Sequence, residues 1–442
     1  MSTEPLTPGL AQRQAIIAQT QSFGLGRYPL GFWNLANLTD HGVHFGEEAA
    51  EDWQEAGFTV PMSPALDPTQ PAQVAQMRRL LDACGDRGQK LILNDPRVHA
   101  GNEAPDYDEQ VRGFLADFGD HPALFGPFMG DEPPASRKVG FFADMRRAKE
   151  LAPHLHPYGN LNPWDEGLEE LVGTDTWPHY LDEYATQSGT DLISYDAYKQ
   201  MNDGEAGIHN YYENLRLYRE ASWRHGLPFW NTVLSVGHFR YRCPSYDDLR
   251  WQFMTSVAAG AHGVTWFFYY LPRVISNFRL SPVDELWDRT PTWGDLRRVQ
   301  HSFHQTYGDL FTRLVSTRVS FLPWPYGHGQ RWTPNELLAS VKADRDNHPL
   351  LVGEFADLNG GRYVMVVNNS QRENVSLSLV FPGAGVRLFS YDRQGREVEG
   401  PSLSSGGIAP VEGGLLSSHW LAPGQEAFYR VEGPVAAGPA VL

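Results

Sequence analysis

The stretch HPALFGPFMGDEPP, His121–Pro134, decides how this chain is built. Leu124–Met129 is apolar apart from one glycine and is short enough for a buried strand. Strands covered on both faces belong to parallel sheets, because an antiparallel strand with one wet face alternates apolar and polar residues. The run ends in Asp131 and Glu132, and Pro133–Pro134 stops any further ladder pairing. Two carboxylates at the carboxyl end of a buried strand are costly to desolvate, which marks them for chemistry. The bland alternative is a strand-to-loop corner that happens to be acidic.

The same texture repeats on both sides of this stretch. Leu30–Ala36, Phe58–Pro64 and Lys90–Pro96 read as strands. Helices are expected at Glu47–Gly57, at Pro71–Gly88, where Val74, Met77, Leu81 and Cys84 share a face, and around Val111–Phe118. Further on, His156–Leu161, Asp191–Tyr198, Pro228–His238 and Gly263–Tyr270 are strands. Ser136–Leu151, Trp177–Gln187, Ile208–His225, Tyr246–Gly260 and Trp293–Leu314 are helices. Eight β-then-α units with buried strands predict an α/β fold, a closed (β/α)8 TIM barrel. The rival, an open doubly wound sheet, starts with a GxGxxG turn that this chain lacks.

From about Ser316 the helical patterns vanish. Short runs such as RVSFL, LLVGEFAD, RYVMVVNN and EAFYRVE, separated by turn signals at Asn359–Gly361 and Pro382–Gly383, predict a C-terminal antiparallel β-sandwich. The expected division is an N-terminal extension over 1–28, carrying a short helix at Gln12–Gln21, the barrel over 29–315, the sandwich over 316–432, and a loose tail over 433–442.

A formal charge of −17 leaves no basic surface for a nucleic-acid partner. Cys84 and Cys243 make neither a disulfide framework nor a CxxC pair. No run reaches the roughly 18 apolar residues of a membrane span, so no membrane partner is expected. MSTEPLTPGLAQRQ lacks a signal-peptide core, so the expected location is cytoplasmic, although a trimmed secreted chain reads the same. Aromatic residues make up 12%, with 13 Trp, more than a plain scaffold needs. Aromatic faces stack on sugar rings, which points to carbohydrate as the ligand. Zinc spacing, a phosphate loop and a GxSxG elbow are all missing, so neither metal nor organic cofactor is expected.

In such a barrel the site forms at the carboxyl ends of the strands. There Glu132 is the expected general acid, since protonating a leaving oxygen needs a carboxyl raised by burial or a neighbouring anion. Asp196, ending the sixth strand, is the preferred second carboxylate, with Asp95 and Asp131 behind it. Asn94, Asn162, Tyr198, His238, Trp266 and Trp33 are expected to shape the sugar site. Each has a structural alternative. Asp196 can pair with an arginine, and Asp95 before Pro96 suits a turn. His238 can be a satisfied structural histidine, and Trp266 and Trp33 can be barrel core. Alternation along a strand would turn Asp131 away from Glu132, leaving only one of them in the mouth.

A (β/α)8 barrel with Glu132–Pro133 after its fourth strand and a sandwich behind it resembles the clan-A glycoside hydrolases, including the β-galactosidase-like enzymes. In that clan the motif is Asn-Glu-Pro, and its Glu is the acid/base; here Asp131 stands where the Asn should be. GDEP, SYDAY and RWQFMTSVAAGAHGVTWFFYY are also similar to stretches of uncharacterised barrel glycosidases, so the resemblance spans roughly Leu30–Val431. It implies hydrolysis of a glycosidic bond in an oligosaccharide or polysaccharide fragment. The clan carries its nucleophile, a Glu, at the end of the seventh strand. This chain reads NTVLSVGH over Asn231–His238, with no carboxylate before Asp247 and Asp248, so the retaining mechanism does not carry over residue by residue. The second carboxylate either attacks the anomeric carbon, at about 5–5.5 Å from the acid, or activates a water, at about 6.5–9.5 Å. Placement on non-adjacent strands favours the wider, inverting separation. The alternatives are a carbohydrate-binding barrel that has lost its nucleophile, and a barrel lyase or isomerase. The sandwich either caps its own barrel or meets another copy in a homo-oligomer.

Overall fold

The computed structural model describes residues 7–101, 104–202, 204–273 and 277–433. The loose tail expected after Gly433 lies outside the described residues.

Parallel strands Leu91–Leu93, Leu124–Asp131, Tyr158–Leu161, Ile193–Asp196, Phe229–Leu234 and Gly263–Phe267 pair in sequence order, and the last pairs with the first strand of the chain, Leu30–Phe32, through Leu30–Val264 and Phe32–Trp266. The expected second strand is irregular. Pro61 and Pro64 cannot donate to a ladder, so the segment 58–65 pairs through the residues around them. Thr59 and Val60 donate to the Leu30 carbonyl on one side, while Ile92 donates to Pro61 and Ser63 to Ile92 on the other. That segment closes the ring into a (β/α)8 barrel.

Alternation along the strands sorts the side chains. Leu91, Leu93, Ile193, Tyr195, Val264 and Trp266 point outward into the layer shared with the helices. Ile92, Phe125, Tyr158 and Trp230 fill the barrel interior, and Phe23 plugs it from the N-terminal helix Leu10–Ser22, 5.3 Å from the Phe125 ring. The helices lie at Glu47–Ala56, Pro71–Asp86, Tyr107–Phe114, Ala135–Leu151, Trp177–Gln187, Glu205–His225, Tyr246–Ala258 and Pro291–Thr306.

Beyond the barrel, strands from Val315 to Glu432 form two sheets of seven and four strands. All their pairings are antiparallel except the short Gln330–Arg331 strand, which runs parallel to Val315–Leu322. Val364, Val366, Leu377, Leu379 and Phe381 make the sandwich core. The other face of the larger sheet, with Met365, Val367 and Phe428, packs on barrel aromatics such as Tyr307 and Phe311. A sheet covered on both sides explains why LLVGEFA is buried throughout, Glu354 included, and why YVMVV is apolar without a break. In the smaller sheet, Val375–Pro382 alternates buried and half-buried residues, as one wet face requires. Among the described residues no helix is long and apolar enough to cross a membrane.

Candidate active site

The fourth barrel strand, Leu124–Asp131, ends in a deformed backbone. Its register against Tyr158–Leu161 shifts between Phe128 and Gly130. Gly130 has φ 143°, a region that favours glycine, and Glu132 sits at φ 41°. A non-glycine residue in left-handed backbone costs about 1–2 kcal/mol. The Glu132 amide is tied to the Asn160 carbonyl at 2.9 Å, and Pro133–Pro134 lead directly into the helix Ala135–Leu151. The consequence overturns the simple alternation argument. Because the extended path breaks at Gly130 and Glu132, Asp131 and Glu132 both line the same pocket instead of facing opposite ways.

Asp196 reaches that pocket from the strand Ile193–Asp196. One amide joins two of the three acids: Asn160 Nδ2 donates to Asp131 at 3.1 Å and to Asp196 at 2.7 Å. The amide's orientation is fixed from behind, where its Oδ1 accepts from Ser194 Oγ at 3.2 Å and that hydroxyl lies 2.9 Å from the Tyr158 hydroxyl. Asp131 and Glu132 are exposed at the pocket mouth and Asp196 is half-buried, yet protein crowds all three carboxyls enough to strip part of their hydration. Burial, then the negative charge of Asp131, lifts Glu132 to about 7, against a hydrogen bond with Asp196 that pulls it down. Burial raises Asp131 to about 6, opposed by the Asn160 hydrogen bond. Asp196 is raised well above the usual carboxylate range by burial and then by the charges of Glu132 and Asp131, with hydrogen bonds from Asn160 and Tyr198 working the other way. Acids this close cannot all ionise near neutrality, so the cluster keeps a proton.

The pocket has a volume of about 320 Å³. Trp33, Tyr198, Phe267 and Tyr241 give it aromatic walls, with Tyr198 5.4 Å from Phe267, and His238 stands among them. Trp33 Nε1 and His238 Nδ1 are buried polar ring atoms without a hydrogen-bond partner among the described residues. Burial, and then the charge of Arg279, lowers the His238 pKa, which keeps the ring neutral.

Six of the residues expected from sequence therefore meet in one pocket: Glu132, Asp196, Asp131, Tyr198, His238 and Trp33. Four do not line it. Asp95 is fully buried and clamped by Arg97 at 2.7 Å, where it also caps the turn Pro96–Val98. Asn94 holds His99 at 2.9 Å. Asn162 is buried, and its carbonyl accepts from the Tyr218 hydroxyl at 2.6 Å. Trp266 has the parity of Val264, so it faces the helices, with its indole N–H 3.3 Å from Gln300 Oε1; its neighbour Phe267 is the aromatic in the mouth. Asn160, Trp164, Asp165, Lys199, Tyr241 and Phe267 are lining residues that the sequence reading did not select. For Asn160 and Phe267 the signal was present, since each has the inward parity of its strand. The others sit on loops, where no period applies.

No family model and no curated protein matches the chain. Solved structures do. A structure described as "Glycoside hydrolase" superposes with a TM-score of 0.55 at 13% identity, covering 91% of this chain and 92% of that one. A family 5 glycoside hydrolase from Bacteroides vulgatus ATCC 8482 superposes at 0.53 with 13% identity, over 91% and 88%. A family 39 glycoside hydrolase from Bacteroides cellulosilyticus WH2 superposes at 0.50 with 12% identity, over 92% and 82%. The barrel followed by a sandwich is thus a fold this chain shares with glycoside hydrolases.

Proposed function

We propose that the protein is a glycoside hydrolase that acts on an oligosaccharide or polysaccharide fragment. The observation that carries this reading is the cluster of Asp131, Glu132 and Asp196 at the carboxyl ends of barrel strands, facing a pocket with aromatic walls. The fold shared with glycoside hydrolases supports it. Glu132, lifted to about 7, keeps its proton into the neutral range and gives it to the leaving glycosidic oxygen. Asp131 adds to that lift through its charge. Asp196 is the second carboxylate, acting as base on a water or as nucleophile; Asn160 and Tyr198 hold its position. It takes this part because the strand Phe229–Leu234 and the residues after it, up to His238, carry no acid. Glu132 and Asp196 line one pocket, and each bears on the other's proton affinity. A sugar entering the pocket presents its glycosidic oxygen to Glu132 and its anomeric centre to Asp196. Trp33 and Phe267 give the ring an apolar face.

The test is turnover of a panel of aryl glycosides by wild type, Glu132→Gln and Asp196→Asn, with thermal midpoints recorded to show that each variant folds. Both substitutions are expected to lower kcat by about 10²-fold or more. Equal rates for wild type and Glu132→Gln overturn the reading, and sugar binding without turnover replaces it with a carbohydrate-binding barrel. The anomer released first, read by NMR, then assigns Asp196 as base or nucleophile.

A further inference from the structure

A second, larger chamber adjoins the acid pocket. Its volume is about 650 Å³, against about 320 Å³ for the pocket, and Trp164, Asp165, Lys199 and Asn210 line both. Those shared residues form a braced rib. Lys199 pairs with Asp165, and Asn210 Nδ2 donates to Asp165 Oδ1 and to the Trp164 carbonyl, each at 3.2 Å. Asn214 Nδ2 also donates to that carbonyl, at 2.9 Å, and its Oδ1 accepts from the Trp164 amide at 2.6 Å. The indole is thereby held beside both cavities.

The far wall of the chamber comes from the sandwich. Gly327 and His328 line it, and the loop is seated on the barrel helix Glu205–His225. The Gly327 amide donates to His209 Nδ1 at 3.1 Å, and the His328 amide donates to Glu213 Oε2 at 3.0 Å. Only glycine fits at 327: its φ is 56°, and a Cβ there would stand 2.7 Å from the Glu213 amide nitrogen. The lining mixes amide, imidazole, carboxylate and guanidinium groups, with Trp164 as its aromatic surface. Arg240 on the exposed rim has no ion pair among the described residues. Hydrogen-bonding groups of both signs beside one aromatic face match a chain of sugar hydroxyls better than an apolar aglycone.

We infer that this chamber binds the further sugar units of an oligosaccharide whose scissile bond lies in the acid pocket, so that the sandwich loop at Gly327–His328 is part of the substrate site. The inference rests on the hydrolase reading and narrows it: the substrate is an oligosaccharide, and chain length is sensed across the two domains.

The experiment compares kcat/KM for gluco-, galacto-, manno- and xylo-oligosaccharides with that for the matching p-nitrophenyl monosaccharides. The full chain is used, as wild type and as Arg240→Ala, His328→Ala and Ala206→Trp. Ala206 is an exposed lining residue, and an indole there would fill the chamber. In wild type the longer substrate is expected to be favoured by about tenfold or more, and the variants are expected to lose most of that ratio, mainly through KM. The inference is overturned, with the hydrolase reading intact, if wild type shows no gain with length, or if the ratio survives all three substitutions. If no glycoside of either length is turned over, the hydrolase reading fails first and takes this inference with it.

Discussion

Glu132 holds its place by opposing forces that can be separated one at a time. Its lift has two causes, burial first and the Asp131 charge second. Asp131→Asn removes the second while keeping an oxygen to accept from Asn160. The Glu132 pKa should then fall, and since the general acid must be protonated, the alkaline limb of the kcat/KM profile should move to lower pH. An unmoved limb shows that Asp131 has no electrostatic part in the site. The same lift makes a stability prediction of definite sign. A carboxyl raised in the folded state binds its proton more tightly there than in the unfolded chain. Its contribution is therefore full below about 4.5 and is lost as pH climbs through about 7. Glu132→Gln cannot ionise, so its melting midpoint should exceed that of wild type by a larger margin at pH 8 than at pH 4. A margin independent of pH would mean that Glu132 titrates normally.

At the scale of the strand, most of the barrel was legible because its strands are buried on both faces and its helices are not. Period and punctuation separated the two, and even the proline-broken segment 58–65 kept its place in the ring. What the sequence hid was parity near the strand ends. Counting from the strand Gly263–Phe267, Val264 and Trp266 share the outward face, so Phe267 and not the tryptophan reaches the mouth. The same count places Asn160 inward with Tyr158. At the fourth strand, counting fails for a physical reason: Gly130 and Glu132 leave the extended region, and two neighbouring acids end on one side. Loop residues such as Trp164 and Lys199 carried no periodic signal at all. The opposite facing of Trp266 and Phe267 gives these neighbouring aromatics opposite expected phenotypes. Trp266→Ala, in the fully buried outer layer, should cost about 3–5 kcal/mol of stability. Phe267→Ala, on the pocket wall and half-buried, should raise KM for glycosides with a smaller loss of stability. Denaturant titration paired with steady-state kinetics reads both, and a KM effect confined to Trp266→Ala would reverse the assignment.

The whole molecule is coupled through a sheet that serves two cores. One face of the seven-stranded sheet closes the sandwich, and the other lies on the barrel, where the Phe428 ring sits 5.3 Å from Tyr307 and 5.4 Å from Phe311. The helix Tyr246–Ala258 adds a polar tie, with Trp251 Nε1 donating to Asn369 Oδ1 at 3.0 Å. An interface of buried aromatics resembles the inside of a domain more than a hinge, since relative motion would wet those rings. Barrel and sandwich should therefore unfold together. Phe428→Ala leaves the sandwich core residues in place and opens a void against the barrel, at a cost of about 3–5 kcal/mol. Calorimetry of the full chain is expected to show one transition for wild type, displaced as a whole to lower temperature in the variant. If the variant instead splits into two transitions, and the barrel's stays at the wild-type midpoint, the sheet is an appendage. The chamber walled by Gly327 and His328 would then rest on a contact that the barrel does not need.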